Sequence, residues 1–562
     1  MRIMRKTKKT RRGALRSGIA ALGGLMSVPL FVGREKVGGA VTPIKYQKFA
    51  QNMPVPPVKQ PVSIGTPPWE VGDCFHGVAP EYFDRRTAED PSVEFPQLMP
   101  EIYYEMTIRA SMAEILPGIK TPILGYDGIY PGPTFRTRSC QPMVVRQYNQ
   151  LADSELSTHL HGGHNPSHSD GYPNFYILPG KSRDYFYTNT IPRLDGVPDI
   201  SECPSTCWYH DHGMDITAET CVRGLAGFYL NYDDLELNLI GQNVLPGDPY
   251  DIPIVIQDRT FNADGTIFFD PLDHNGYLGD TYVVNGKAFP KFHVQRRKYR
   301  FRFLNGCNAR HFELRLSNKQ QFLGLGTDSW LYPQAFYRST LLMSPAKRAD
   351  VVIDFTNAPS ELYLENILEQ NDGRGPNGSL SDRDIKIPGT QVLKFVVEGE
   401  KRPDSATVEE GTKLRPHIPI TAEEVSTTRV FEFHRRKGAW QINQEFFDEF
   451  KANACPAVGS TERWILRNGS GGWWHPIHVH LESHQIQKID GKIPPMSERF
   501  KVDTSMLGPN TEVEMFMKFR TFKGPFVFHC HNLEHEDMRM MFVFDPRADG
   551  PLKNQHIQQF HP

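Results

Sequence analysis

Near its C-terminus the chain reads Phe528-His529-Cys530-His531-Asn532-Leu533-Glu534-His535-Glu536-Asp537-Met538-Arg539-Met540. On an extended strand alternate side chains leave opposite faces, so Cys530 points one way and His529 and His531 the other. A thiolate with imidazole partners and a weak thioether suits a blue, or type 1, copper: two His and one Cys in a plane, with a long axial Met. His535 and Met540 follow Cys530 at spacings of five and ten that fit such a set. The flanking His stay free to bind other metals on the opposite face. One tripeptide can thus hold a redox metal on one side and feed a second metal site on the other.

Windows 159–161, 210–212, 475–480 and 529–535 hold ten of the chain's 21 His. A single His-x-His on a strand reads more simply as a hydrogen-bonded pair. Four windows together, one containing a Cys, point to metal. His-x-His sends both rings to one face, so one strand can give a ligand to each of two adjacent metals. The pairs His159/His161, His210/His212 and His478/His480, with His529 and His531, supply eight imidazoles. Three coppers can share these as two, three and three. His475 precedes Pro476, which is expected to shift the register and turn His475 toward Cys530. Zinc is a poor reading, because closed zinc sites take four ligands and eight His with one Cys do not divide that way.

The elements that must position these residues recur. Met143–Asn149 leads to Thr158–His161, Tyr299–Gly306 to His311–Leu316, and Arg463–Gly469 to His475–His480. Each copy is an alternating strand, a turn with Asn or Gly, and a second strand. The repeat length of roughly 155 residues suits a β-sandwich domain. Copy two carries His311 alone and reads as a structural spacer. Aromatic residues at 11%, with 46 Gly, 45 Pro and little helical periodicity, make the chain all-β. The expected order is an export signal over 1–40, a Pro-rich extended arm over 41–70, three sandwich domains over 71–235, 250–400 and 418–548, and a tail over 549–562. Linkers are expected at Asp233–Asp251 and Glu398–Pro419, and a surface loop at Asn371–Ile387.

The signal reading rests on Arg11-Arg12 and the apolar run Ile19–Val32, which resemble a twin-arginine leader. It places the protein in the periplasm or outside the cell. No stretch of the mature chain reads as a membrane span. A net charge of −2 gives no reason to expect a nucleic-acid partner. With Cys530 on metal, seven Cys remain, which allow at most three disulfides. The cluster Cys203, Cys207 and Cys221 is the expected source of one.

The motifs His159-Leu160-His161-Gly162, Trp208-Tyr209-His210-Asp211-His212, His475-Pro476-Ile477-His478-Val479-His480 and His529-Cys530-His531-Asn532-Leu533-Glu534-His535 resemble those of three-domain multicopper oxidases. The resemblance runs over about residues 95–545. It is closest to bacterial spore-coat laccases and bilirubin oxidases, with Leu160, Trp473 and Met540 at distinguishing positions. It implies three cupredoxin-like Greek-key β-sandwich domains, the second without copper ligands. It also implies four coppers: type 1 on His475, Cys530, His535 and axial Met540; type 2 on His159 and His478; and a type 3 pair on His161, His210, His531 and on His212, His480, His529. The implied activity is one-electron oxidation of phenols, aromatic amines or tetrapyrroles, with electrons passing through Cys530 to His529 and His531. Dioxygen is the acceptor and is reduced to two waters. Asp170, in Ser169-Asp170-Gly171, and Glu536, beside His535, stand where the family keeps its proton-relay acids. A monomer is expected.

Three other functions compete with this reading, of which a two-domain nitrite reductase is disfavoured because all three His pairs are present. A metallo-oxidase acting on Cu(I), Fe(II) or Mn(II) would need Met or carboxylates over His475 and His535. A non-catalytic blue-copper electron carrier would leave eight His without a role. His164, His168 and His484 fall outside ligand spacing and are expected as polar surface residues or as supports behind the ligands. The segment Thr190–Thr206 is expected to narrow access to the metal cluster or a domain seam, and the Met of Glu514-Met515-Phe516-Met517-Lys518 to fill core.

Overall fold

The computed structural model describes residues 44–63, 100, 102–193 and 197–546. The leader, Cys74 and the tail from 549 lie outside the described residues. Strands dominate because apolar residues alternate. In Thr461–Asn468, Trp464 and Leu466 are fully buried, while Arg463 and Arg467 turn outward to Glu514 and Glu512 at 3.6 and 2.7 Å. Met515 and Met517 of the neighbouring strand are fully buried, as core filler should be.

Six sheets pair face to face into three sandwiches. In the first, Lys120–Tyr126, Ile102–Glu114, Met143–Asn149 and Ser182–Tyr187 face Phe135–Arg138, Ala226–Tyr232, Thr206–Asp211 and Thr158–His161. The second joins seven- and five-stranded sheets around Phe301, Phe303, Phe312, Phe355 and Phe395. The third joins a six-stranded sheet to Ala452–Ala454, Met541–Phe544, Phe526–Cys530, His475–Val479 and Thr504–Leu507. Each sandwich opens with the same parallel pairing. Ile102–Glu114 runs beside Met143–Asn149, Asp251–Arg259 beside Lys298–Asn305, and Val425–Arg436 beside Thr461–Asn468.

The repeat has a physical cause at its Asn. Asn149, Asn305 and Asn468 are buried, and each accepts from the backbone N–H two residues on, at 3.0, 3.1 and 2.9 Å. Each also donates across its loop: Asn149 to Ser154 O, Asn305 to Arg310 O and Asn468 to Trp473 O, at 2.7, 2.8 and 2.7 Å. A carboxamide offers both an acceptor and two donors, so one side chain closes the whole turn. Asn468→Ala leaves the Ser470 N–H and the carbonyls of Trp473 and Gly508 without this partner. It is expected to cost about 2–4 kcal/mol, read as a lower urea midpoint at unchanged slope.

Several expectations change. Asp233–Asp251 is not bare linker: Asp233 caps a helix at Asp234–Gly241, whose buried Glu236 binds Arg300 and Arg302 at 2.7 and 2.6 Å. The Pro-rich arm is extended but anchored, with Met53 in the second core and Lys59 N bonded to Thr134 O. The loop within Asn371–Ile387 docks on the third sandwich, where Arg374 O accepts from Trp474 N at 2.7 Å. Cys203, Cys207 and Cys221 are free thiols. They point to different partners: Cys203 to Asn231 O, Cys207 to Ser329 Oγ and Cys221 to Asp211 O. Segment Thr190–Thr206 does lie at a seam, where Ser205 N bonds Ser329 O and Glu202 pairs with Lys501.

Candidate metal centre

Strand His475–Val479 lies between Thr504–Leu507 and Phe526–Cys530, with Ile477 opposite Cys530 and His478 opposite His529. Plain alternation then separates two sites. Cys530 and His475 face inward to the apolar core, and His478, His480 and His529 face the first sandwich. The expected register shift at Pro476 is absent, since pairing runs unbroken from His475 to His478. Three residues of separation are enough to put His475 and His478 on opposite faces.

On the inner face, His475 Nδ1 is 3.4 Å and His535 Nδ1 is 3.5 Å from Cys530 Sγ, and the two nitrogens are 3.2 Å apart. All three residues are fully buried. Met540 is buried in the same apolar cluster, and its carbonyl accepts from Cys530 N at 3.0 Å. His535 Nε2 donates to Asn275 O at 3.2 Å, and His475 Nε2 meets Ser470 Oγ at 2.8 Å. The Trp440 ring lies on His535 with centroids 3.8 Å apart, and Trp473 stands 4.6 Å from Trp440. The exposed Arg435 guanidinium is 4.9 Å from each indole, and that of Arg374 is 5.7 Å from Trp473.

On the outer face eight imidazoles converge, four from each of two sandwiches. His159 sits opposite His210 across the Thr158–His161 and Thr206–Asp211 pair. Ligand nitrogens cluster as His161, His210, His531 and as His212, His480, His529. His159 and His478 approach each other Nε2 to Nε2 at 3.2 Å. Burial pulls His159, His161, His212, His478, His480 and His531 well below the usual imidazole range, and His210 to about 3. Burial does the same to His475, to about 3, and pushes the Cys530 thiol up.

The tautomers follow from fixed partners. His159 Nδ1 faces Asp170 O and His478 Nδ1 faces Asp503 O, at 2.5 and 2.9 Å. A carbonyl oxygen only accepts, so each Nδ1 carries the proton and each Nε2 presents a lone pair. Two lone pairs therefore meet at 3.2 Å, an arrangement that only a cation between them satisfies. His161 Nδ1, His210 Nε2 and His531 Nε2 are buried with no hydrogen-bond partner. The donor set fits soft and borderline metal: imidazoles alone on one face, imidazoles with a thiol on the other.

Both acids read from the sequence are in place. Asp170 Oδ2 accepts from His480 Nδ1 at 2.7 Å, and burial holds its carboxyl well above the usual range. Gly171 lets it approach: φ is +81°, and a Cβ there would lie 2.6 Å from His159 Cα. Glu536 Oε2 is 3.0 Å from His529 Nδ1, and its Oε1 is 3.5 Å from His212 Nε2. His164 and His484 are buried supports rather than surface residues, His164 bonding Leu481 O and Thr521, and His484 bonding Ser505. His168 is buried too. Sequence reasoning missed Asp503, whose Oδ1 lies 3.0 Å from His161 Nε2, together with Arg348, Trp440 and Asn275.

Paired sheets around a buried imidazole and thiol centre define a cupredoxin-type metalloprotein. Family models described as multicopper oxidase match residues 107–235 and 420–549. The chain is 32% identical over 518 residues to a bilirubin oxidase from Albifimbria verrucaria, covering 89% of this chain and 82% of the relative. It is 30% identical over 503 residues to a laccase from Bacillus stratosphericus, covering 79% and 95%. A laccase from Pediococcus acidilactici superposes with a TM-score of 0.72 at 25% identity, covering 90% and 96%. The chain belongs to the multicopper oxidase family and is a copper-dependent oxidoreductase with dioxygen as acceptor. Among the described residues, no helix is long and apolar enough to cross a membrane.

Proposed function

We propose that the chain holds four coppers and oxidises aromatic donors in the manner of laccases and bilirubin oxidases. His475, Cys530, His535 and Met540 would hold type 1 copper. His159 and His478 would hold type 2. His161, His210, His531 and His212, His480, His529 would hold the type 3 pair. The observation that carries this reading is the facing of unprotonated nitrogens, His159 to His478 at 3.2 Å and His480 to His529 at 3.3 Å. Bound copper would supply one-electron chemistry, coupling donor oxidation at one end to four-electron reduction of dioxygen to two waters at the other.

The protein's own part is to connect, feed and enclose these sites. The His529-Cys530-His531 backbone is the shortest covalent link between them. Asp170 and Glu536, on His480 and His529, are the carboxyls placed to pass protons to the cluster, since dioxygen reduction consumes four. Buried Trp440 and Trp473 stand between His535 and the exposed Arg435, beside which donors would arrive. Arg435 and Arg374 beside these indoles favour anionic or neutral aromatics, phenols or tetrapyrrole acids, over metal cations. The metallo-oxidase reading needs Met or carboxylates at this place, and Asp372, 3.6 Å from Arg374, is a candidate carboxylate for it. The sandwiches, taken as 71–235, 250–400 and 418–548, supply every ligand from one chain, so a monomer suffices. Export by the leader over 1–40 completes the proposal.

The test is copper stoichiometry on the purified, copper-loaded protein, with the visible spectrum and then oxygen uptake in the same cuvette. Four coppers, an intense blue thiolate band, a near-ultraviolet shoulder and uptake with a phenol exceeding that with Cu(I) are expected. One copper with the blue band and no uptake would leave an electron carrier instead.

A further inference from the structure

The second sandwich gives no imidazole to the cluster, yet its residues reach it. Asp503, on the third sandwich, lies 2% exposed between the three bodies. Arg348 of the second sandwich grips it with both prongs, Nη1 on Oδ1 at 2.9 Å and Nη2 on Oδ2. Arg348 Nε also donates to Thr206 O of the first sandwich at 3.1 Å, and its Nη2 to Ser329 Oγ at 2.8 Å. Behind this pair, Asp328 accepts from Asp503 N and Arg348 N at 3.1 and 3.2 Å, and Lys347 reaches Asp328, Glu498 and Thr504 O at 3.3, 2.8 and 3.1 Å. The grip presses against the strand end that carries His161. At Gly162 φ is +88°, and a Cβ would lie 2.1 Å from Ser329 Oγ and 2.9 Å from Arg348 Nη2.

Asp503 Oδ1 lies 3.0 Å from His161 Nε2. The other tied rings use the opposite nitrogen. His159, His210, His478 and His480 each give Nδ1 to an oxygen, and His529 Nδ1 lies against Cys530 O. A carboxylate gripped by a guanidinium accepts, so Nε2 of His161 carries the proton and Nδ1 keeps its lone pair. That Nδ1 is buried and unpartnered.

We infer that Asp503 is a positioning residue for the trinuclear cluster. It is locked by Arg348 and Lys347, and it fixes His161 to present Nδ1 to metal. The ligand-free second sandwich thereby sets the tautomer of a ligand on the first. A neutral His161 with the proton on Nδ1 would offer the cluster no lone pair. Thr504 Oγ1, which donates to Asp503 at 3.0 Å, stands farther from Nε2 at 3.5 Å and offers it only a long secondary acceptor. This inference rests on the copper assignment above, and its test separates the two.

The variants are Asp503→Leu, Asp503→Asn and Arg348→Lys in the full-length protein. Each is loaded with copper, dialysed against a chelator and measured for copper per chain, electron paramagnetic resonance of the type 2 signal, and the ratio of near-ultraviolet shoulder to blue band. D503L is expected to hold cluster copper about 10–100-fold more weakly, as loss of an outer partner of a ligating His does. Its blue band should remain, since Cys530 lies on the opposite face. D503N keeps a carbonyl oxygen for His161 and is expected to recover much of the loss. Four coppers with an unchanged spectrum and resonance in D503L would overturn the inference. So would parallel loss of blue band and shoulder, which marks a merely structural residue. Should D503L not fold, R348K decides: it keeps the charge but loses the fork, so its shoulder-to-blue ratio is expected to fall, and an unchanged ratio overturns the inference. Fewer than four coppers on the wild-type protein would instead sink the copper assignment itself.

Discussion

Cys530→Ser is expected to abolish the blue band, leave three coppers per chain and cut phenol-driven oxygen uptake by more than the ~10–100-fold typical of losing an outer-shell partner. The reasoning starts from burial. Cys530 is fully buried in an apolar cluster with Phe431, Trp464 and Phe528, and burial alone pushes its thiol up. A cation held by His475 and His535 reverses that preference, because a metal takes the place of the thiol proton. Serine cannot follow: its hydroxyl stays protonated and is a hard, weak donor. Placing that hydroxyl in the cluster costs about 1–3 kcal/mol on its own, well within what a folded domain tolerates. The variant should therefore fold with its eight-imidazole face intact. Copper analysis with the visible spectrum checks this directly, and a persisting blue band would mean that Cys530 is not the thiolate ligand.

How much of this centre was legible in the sequence depends on the range over which each contact is encoded. His-x-His and His-Cys-His are read by strand alternation, a rule of nearest neighbours, and the groups they imply meet in space. The same rule was enough for His475, and the Pro476 argument added a distortion that the unbroken register does not contain. The repeat Asn was visible only as a turn residue. Its closing of each turn needs the carbonyl five residues on, which no propensity encodes. Asp503 and Arg348 are 155 residues apart and come together only through the packing of two sandwiches. Nothing local marks either one. Trp440 reaches His535 by a hairpin from a different sheet. The disulfide expectation failed for a related reason. Clustering along the chain says nothing of where Sγ atoms point, and three neighbouring thiols face three different carbonyl and hydroxyl partners. The surface reading of His164 and His484 failed because sandwich seams bury polar residues that spacing alone would leave outside.

The second large effect is on the apoprotein in acid. Burial pulls His164, His210, His311, His475 and His484 to about 3 in the folded chain. Their unfolded value is about 6.5. The unfolded chain therefore binds five protons that the folded chain refuses, and stability present above pH ~6.5 is lost as pH falls toward 3. Buried carboxyls oppose this. Asp211, Glu482 and Glu534 are pushed up by burial to about 7, so in the folded state they take protons first and gain stability as pH drops through 7. That gain ends near pH 4, where the same carboxyls protonate in the unfolded chain as well. Between about pH 6.5 and 4.5 the five His outnumber the three carboxyls by two, worth roughly 3 kcal/mol per pH unit. Below about pH 4 the His stand unopposed and the slope steepens. Seven further imidazoles of the two sites are depressed by burial, against Asp170, Glu498, Asp503 and Asp537 raised by it, which strengthens the trend. Metal bound to the lone pairs stabilises only the folded chain, so the copper-loaded protein should resist acid that unfolds the apoprotein. Urea midpoints of both forms from pH 7 to 4 measure the effect. The expected result is a higher midpoint for the copper-loaded form at every pH, with a gap that narrows as the pH falls because metal must displace the Cys530 thiol proton. Coinciding curves would mean that the buried imidazoles are not where the metal binds.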